Sequence, residues 1–221
     1  MIYQHKWENA EEIGLPTGKA VCVGRNYVAH AKELNNPIPD APLLFIKPST
    51  SFQAFNEQLN LSERLGVHHY EAELVLLVGD VITSQSCNPL SCIKGIGLGL
   101  DLTLRDVQNE LKTLGHPWER AKAYDGSCAL TPFFTLRDQA DLDNSEYRFW
   151  VNNELRQVGK AQLMIHSCSN LLSEISAVFT LMPGDIVMTG TPAGVGALAH
   201  GDKLQLQYGR GLKHTSMVIC R

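Results

Sequence analysis

Leu74-Val75-Leu76-Leu77-Val78-Gly79 is a continuous apolar run of branched residues closed by glycine, and it constrains the fold more than any other stretch. Such a run predicts a strand buried on both faces. Two carboxylates, Glu71 and Glu73, open it. Side chains at i and i+2 of a strand share a face, so this pair stands side by side with its Cα atoms roughly 7 Å apart. Like charges so placed repel, and burying them without a partner is costly. A positive group between them would relieve both. Taken alone, Glu-x-Glu is more often a solvated pair where a strand enters the core.

The chain has 221 residues, 44% of them hydrophobic, which is enough to bury a substantial core; one unit over residues 1–221 is the expectation. Its formal net charge of -4 is spread along the chain without a basic run, which argues against nucleic acid or an anionic membrane as partner. The first residues lack an apolar segment, and the longest apolar runs are too short to cross a bilayer, so a cytoplasmic protein is expected. Six cysteines are scattered without Cys-x-x-Cys spacing, and they read as reduced, mostly core residues.

Ala20-Val21-Cys22-Val23-Gly24 predicts a short strand, after which Arg25-Asn26-Tyr27 turns the chain. Asn26 is placed to cap a helix through Leu34, stopped by Asn35-Asn36-Pro37. His30 and Glu33 are three apart on it and share a face; on spacing alone a solvent-exposed pair is the commoner reading. A short helix over 26–36 between two loops suits a lid. Leu43 to Ile46 predicts a second strand, ending in Lys47, a position where lysine usually reaches to solvent.

Gly95-Ile96-Gly97-Leu98-Gly99-Leu100-Asp101-Leu102 alternates strictly, so three glycines and Asp101 share one face and four apolar residues the other. A face stripped to glycine suits close approach by a backbone or a ligand. Thr103, with Asp106 at the capping-box position, predicts a helix to about Leu114, with Arg105 and Gln108 together on its first turn. Trp118 to Gly126 has little periodicity and predicts a loop; Tyr147 to Val158 predicts a hairpin turning at Asn152-Asn153. Leu171, Leu172, Ile175, Val178 and Phe179 form one helical stripe, best explained as core. Residues 190–196, Gly-Thr-Pro-Ala-Gly-Val-Gly, match neither nucleotide-binding glycine motif, although such a loop can present N–H groups to an anion.

Glu71, Glu73 and Asp101 together would make an all-oxygen cluster without a cysteine or histidine partner. Hard donors of that kind suit Mg²⁺ or Mn²⁺ and disfavour zinc. Three carboxylates on a divalent ion leave a negative site, so an anionic substrate needs cationic help, for which Arg25, Lys47, Arg105 and Lys122 are candidates.

Val23-Gly24-Arg25-Asn26-Tyr27, Leu44-Phe45-Ile46-Lys47-Pro48, His69-Tyr70-Glu71-Ala72-Glu73-Leu74, Leu100-Asp101-Leu102-Thr103-Leu104-Arg105-Asp106-Val107-Gln108 and the segment Gly184 to Gly196 occur in one order along nearly the whole chain. Together they resemble the fumarylacetoacetate hydrolase superfamily, in its short branch of acylpyruvate hydrolases and oxaloacetate decarboxylases or tautomerases. The resemblance implies an α+β, mainly β fold, a mixed sheet rolled into a pseudo-barrel with flanking helices, assembled as a homodimer. It also implies Mg²⁺ or Mn²⁺ on Glu71, Glu73 and Asp101, a lid dyad of His30 and Glu33, and Lys122, Arg105, Gln108 and Thr191 on the substrate side.

The chemistry expected of such a site starts from a 2-oxo acid, whose carboxylate and carbonyl oxygens chelate one ion that acts as a Lewis acid toward an enolate. Lys122 adds charge near the developing oxyanion. The first expectation is hydrolysis of acylpyruvates to pyruvate and a carboxylic acid, with Glu33 and His30 activating water. The alternatives on the same site are oxaloacetate tautomerase or decarboxylase activity and a 2-hydroxymuconate-type isomerisation. A metal-stabilised scaffold without chemistry is the non-enzymatic rival, and it has no use for the lid dyad or Lys122.

Overall fold

The apolar run around Leu74–Val78 lies in the middle of the largest sheet, and both of its faces are covered, as its composition requires. The computed structural model describes residues 3–34, 37, 39–136 and 142–221. Seven strands form that mixed sheet in the order Leu43–Lys47, Ala20–Gly24, Ile186–Met188, Ala72–Val78, Ile93–Asp101, Cys128–Leu130 and Phe52–Ala54; an eighth, Phe134–Thr135, pairs beside Ile93–Asp101. The sheet curls into a half-barrel, and the fold is mainly β. A second sheet orders Glu154–Lys160, Glu146–Val151, Lys203–Tyr208, Lys213–Cys220 and Gln58–Leu61; a third joins Gly196–Ala197, His68–Tyr70 and Thr103–Leu104.

The period-two pattern sorts the core. Leu74, Leu76 and Val78 face Ile96, Leu98 and Leu100 and the helix Cys168–Val178, which contributes Leu171, Leu172 and Ile175. Val75 and Leu77 face a smaller cluster with Phe52, Leu130, Phe133 and Met188. The glycine-cleared face of Ile93–Asp101 lies on this second side, and protein fills it rather than ligand. A Cβ on Gly95 would lie 2.9 Å from the Trp7 ring, one on Gly97 3.0 Å from Phe133 and one on Gly99 3.1 Å from the Ala129 carbonyl oxygen.

The hairpin turns as its sequence predicts: Asn152 and Asn153 have φ of 51° and 65° between paired strands. Three local expectations give way to tertiary contacts. The first helix runs Val28–Glu33 with Tyr27 at its N-cap, and Asn26 is not a helix cap. Its amide instead donates to the carbonyls of His166 and Thr189 and accepts from the His166 N–H, tying distant segments together. The expected stop signal at residues 35 and 36 lies outside the described residues. The next helix begins at Arg105 without a side-chain cap, because the Thr103 hydroxyl bonds the Asp101 carbonyl and the Lys122 ammonium. Within the expected loop 118–126 a short helix, Glu119–Lys122, carries Lys122 inward.

Branched side chains have no room on the cleared face. Gly97→Val is expected to destabilise the protein by about 1–3 kcal/mol through overpacking against Phe133; an unchanged urea midpoint would refute the close approach described.

Candidate active site

Strand register assembles the carboxylates. Glu73 pairs directly with Gly99, and the Asp101 N–H donates to the Glu71 carbonyl at 2.8 Å, so the two Glu-bearing residues run antiparallel to Gly99 and Asp101. Directly opposed residues of an antiparallel pair point to the same face. Glu71, Glu73 and Asp101 therefore converge, all buried, and each offers an oxygen within 4.8 Å of the others. Glu71 sits in the break between His68–Tyr70 and Ala72–Val78 rather than inside one strand. The intervening Ala72 peptide is held on both sides. Its N–H donates to Gln157 at 2.9 Å, and its carbonyl accepts from the hydroxyls of Tyr147 at 3.0 Å and Thr191 at 2.9 Å.

Cations balance this cluster. The Lys122 Nζ bonds Glu71 at 2.7 Å, Asp101 at 2.6 Å and Thr103 at 2.7 Å, which uses all three of its protons. Arg105 pairs with the other Glu71 oxygen and donates to Gln108 Oε1 at 2.6 Å, which leaves the Gln108 NH₂ for a ligand. Burial alone would raise the Glu71 pKa, but Lys122 and Arg105 outweigh it and hold the carboxyl far below the ordinary range. Glu73 goes the other way: burial first, then Asp101 and Glu71, push it well up against one bond from the Gly190 N–H at 2.8 Å.

The helix Val28–Glu33 forms the other wall. His30 is buried, its Nδ1 is 3.4 Å from Glu33, and both Glu33 oxygens accept from the Gly194 N–H at 3.0 and 3.2 Å. Burial lowers the His30 pKa against the raising effects of Glu71 and Glu33, so the ring is neutral at neutral pH.

Of the residues singled out in the sequence, Arg25, His30, Glu71, Glu73, Arg105, Gln108, Lys122 and Thr191 line one cleft. Lys47 does not. It is fully buried behind Asp101, with its protons on the Lys122 carbonyl and on the carbonyl and hydroxyl of Ser127. The Thr191 hydroxyl donates to Ala72 and accepts from Gln157 at 2.8 Å, so it serves the backbone beside the acids. Sequence reasoning missed Gln157 and Tyr147, which carry no local signal, and Lys112 and Trp118, which line the cleft. Only the helical spacing of Lys112 from Arg105, two turns, would have pointed to it.

The sequence profile described as fumarylacetoacetate (FAA) hydrolase C-terminal matches residues 19–216. The chain belongs to the fumarylacetoacetate hydrolase family. It is 41% identical over 210 residues to oxaloacetate tautomerase YcgM of Escherichia coli strain K12, covering 94% of this chain and 95% of the relative. A crystal structure of a protein assigned to this family from Yersinia pestis CO92 superposes with a TM-score of 0.95 at 38% identity, covering 98% and 100% of the two chains. Fumarylpyruvate hydrolase from Pseudomonas aeruginosa, solved with Mn²⁺ and pyruvate, gives a TM-score of 0.89 at 30% identity, covering 99% and 96%.

The acidic cluster of this family member fits a hard divalent ion. Asp101 Oδ1 is buried and accepts no hydrogen bond, with the Lys47 ammonium 2.8 Å away as its ion-pair partner. Glu71, Glu73 and Asp101 each offer an oxygen within 4.8 Å of the others, an all-carboxylate donor set of the kind a hard divalent ion takes.

Removing Lys122 leaves two buried carboxylates short of their cation. Lys122→Met is expected to cost the metal-free protein about 3–5 kcal/mol in a denaturant titration. A loss below about 1 kcal/mol, the scale of an exposed pair, would mean that solvent screens the cluster.

Proposed function

We propose that this protein is a divalent-metal-dependent oxaloacetate tautomerase, interconverting the keto and enol forms of a 2-oxo dicarboxylate. The observation that carries the reading is the placement of a neutral imidazole, paired with Glu33, beside a buried carboxylate cluster that also holds Lys122. The similarity to YcgM over almost the whole of both chains supports this reaction over acylpyruvate hydrolysis.

Glu71, Glu73 and Asp101 would hold Mg²⁺ or Mn²⁺. Such an ion, when bound, supplies Lewis-acid polarisation of a 2-oxo acid's carbonyl. The residues of the chain then divide the proton transfer between them. Lys122, its three protons held by Glu71, Asp101 and Thr103, supplies fixed positive charge beside the place where negative charge develops on the substrate oxygen. His30, with Nδ1 turned to Glu33, has Nε2 left to take a proton from C3 of the keto form and pass it to the enolate oxygen, or to carry it back in the reverse direction. Glu33, fixed by the Gly194 N–H, steadies the imidazolium that forms. Gln108 and Arg105 orient the substrate carboxylate. The lid over the cleft excludes bulk water, which favours returning the proton over hydrolysis.

Cleavage of a fumarylpyruvate-like substrate is the second reading, supported by the likeness to the hydrolase solved with Mn²⁺ and pyruvate. The same dyad would then activate water. A small 2-oxo acid as the partner and a homodimer as the assembly complete the proposal.

With Mg²⁺ present, the purified protein is expected to speed the loss of enol-oxaloacetate absorbance without releasing pyruvate, and Glu33→Gln to slow it by about 10²–10⁴-fold. Pyruvate release from acetylpyruvate, with no effect on enol-oxaloacetate, would instead establish the hydrolase.

The rate also carries a pH signature. Because the His30 pKa is lowered, the ring stays neutral as pH falls through the ordinary histidine value, and kcat/KM is expected to drop only below it. In stability terms, the lowered folded value makes a contribution that is complete above the unfolded pKa and lost as pH falls through the folded one. An acid limb centred above the ordinary histidine value would be incompatible with a buried neutral base.

A further inference from the structure

Two of the cleft's cations are already bound to its acids: Lys122 bonds Glu71 and Asp101, and Arg105 bonds Glu71. Two more, Arg25 and Lys112, also line the cleft, and among the described residues neither has a carboxylate within ion-pair distance. Lys112 follows Arg105 by two turns of the helix Arg105–Leu114 and so lies on the same side of it. Its ammonium is partly buried, 5.7 Å from the ring centroid of Trp118, which also lines the cleft. Burial, then Arg105 and Arg25, push the Lys112 pKa down to about 8 despite the opposing charge of Glu71. This end of the cleft therefore has an excess of positive potential. Arg25 is held there in the left-handed region, φ 61°, a conformation uncommon for residues other than glycine.

We propose that Lys112, with Arg25, binds the carboxylate at the far end of a 2-oxo dicarboxylate, so that the cleft selects four-carbon dicarboxylates over 2-oxo acids with an uncharged tail. The inference rests on the 2-oxo acid reading of the same site and names the substrate class it prefers. One carboxylate of such a substrate belongs with the acidic cluster and its ion. The second would otherwise enter a cleft lined by Glu71 and Glu73, and only a cation free of other partners offsets that repulsion. Lysine suits the task, since its flexible stem can follow the tail while its aliphatic part stays against Trp118.

The test uses binding rather than turnover. Calorimetry on the Mg²⁺-loaded protein compares pyruvate with 3,3-difluorooxaloacetate, a dicarboxylate that has no C3 proton to lose. The wild-type protein is expected to prefer the dicarboxylate, and Lys112→Met to weaken it by about 10- to 100-fold while changing pyruvate less than about twofold. Lys112→Arg, which keeps the charge, should recover most of the loss. Equal binding of both ligands by the wild-type protein would overturn the assignment. So would a Lys112→Met variant that weakens both alike, which would make the residue a support for Trp118. A preserved dicarboxylate preference in a protein that fails to tautomerise oxaloacetate would defeat the proposed reaction and leave this assignment standing.

Discussion

Three carboxylates held within 4.8 Å of one another in a buried setting are the condition on which the rest of the structure depends. Register brings them there at no conformational choice of their own, because Glu71 and Glu73 lie across from Asp101 and Gly99 on two hydrogen-bonded strands. Repulsion then dictates the surroundings. Lys122 and Arg105 grip Glu71, Lys47 approaches Asp101 from behind, and the Gly190 N–H meets Glu73. Even the peptide between the two glutamates is fixed, by Gln157, Tyr147 and Thr191. A mobile backbone at that point would let the acids separate into solvent.

The balance is uneven in a useful way. Glu71 stays ionised against its burial because two cations face it, whereas Glu73 is pushed toward its protonated form by burial and its acidic neighbours. A divalent ion reverses that pressure on Glu73, so folding prepares a place where a hard cation is favoured. The loop after Ile186–Met188 links this centre to the helix Val28–Glu33. Its Gly190 N–H holds Glu73, and its Gly194 N–H holds Glu33. Gly194 adopts φ 100°, and a Cβ there would lie 2.0 Å from the Arg156 carbonyl oxygen, so the loop is packed too tightly on the neighbouring strand to drift. One segment thus holds both Glu73 and Glu33.

Much of this was legible in residue order. Strict alternation separated the glycine face from the leucine face and put Asp101 at the end of the former, and the i, i+2 rule paired the glutamates. The i, i+3 spacing paired His30 with Glu33 and Arg105 with Gln108. Local rules failed where a long-range partner competed. Asn26 and Thr103 both have the chemistry of helix caps, yet each found acceptors or donors in distant segments that satisfy more bonds than a cap would. The short helix at Lys122 lacks any periodic signal because four residues are too few to show one. The cleared glycine face reads as room for a backbone or a ligand, and protein fills it: the Phe134 and Ala129 carbonyls approach closely beside the rings of Trp7 and Phe133.

The sequence by itself determined the buried central strand, the three clustered carboxylates and the His30–Glu33 pairing, because each depends largely on spacings of two or three residues that the backbone's own geometry converts into shared faces. Tertiary structure decided which cations pair with the acids and which face the cleft without a carboxylate partner among the described residues. Lys47, Lys122, Arg105, Arg25 and Lys112 are alike as charges in a sequence. They differ only in where the curled sheet and the helix Arg105–Leu114 put them, with Lys47 sealed behind Asp101 and Lys112 left facing the cleft. Pairing of charges is settled by distance in space, and chain order carries little information about distance between segments far apart along it.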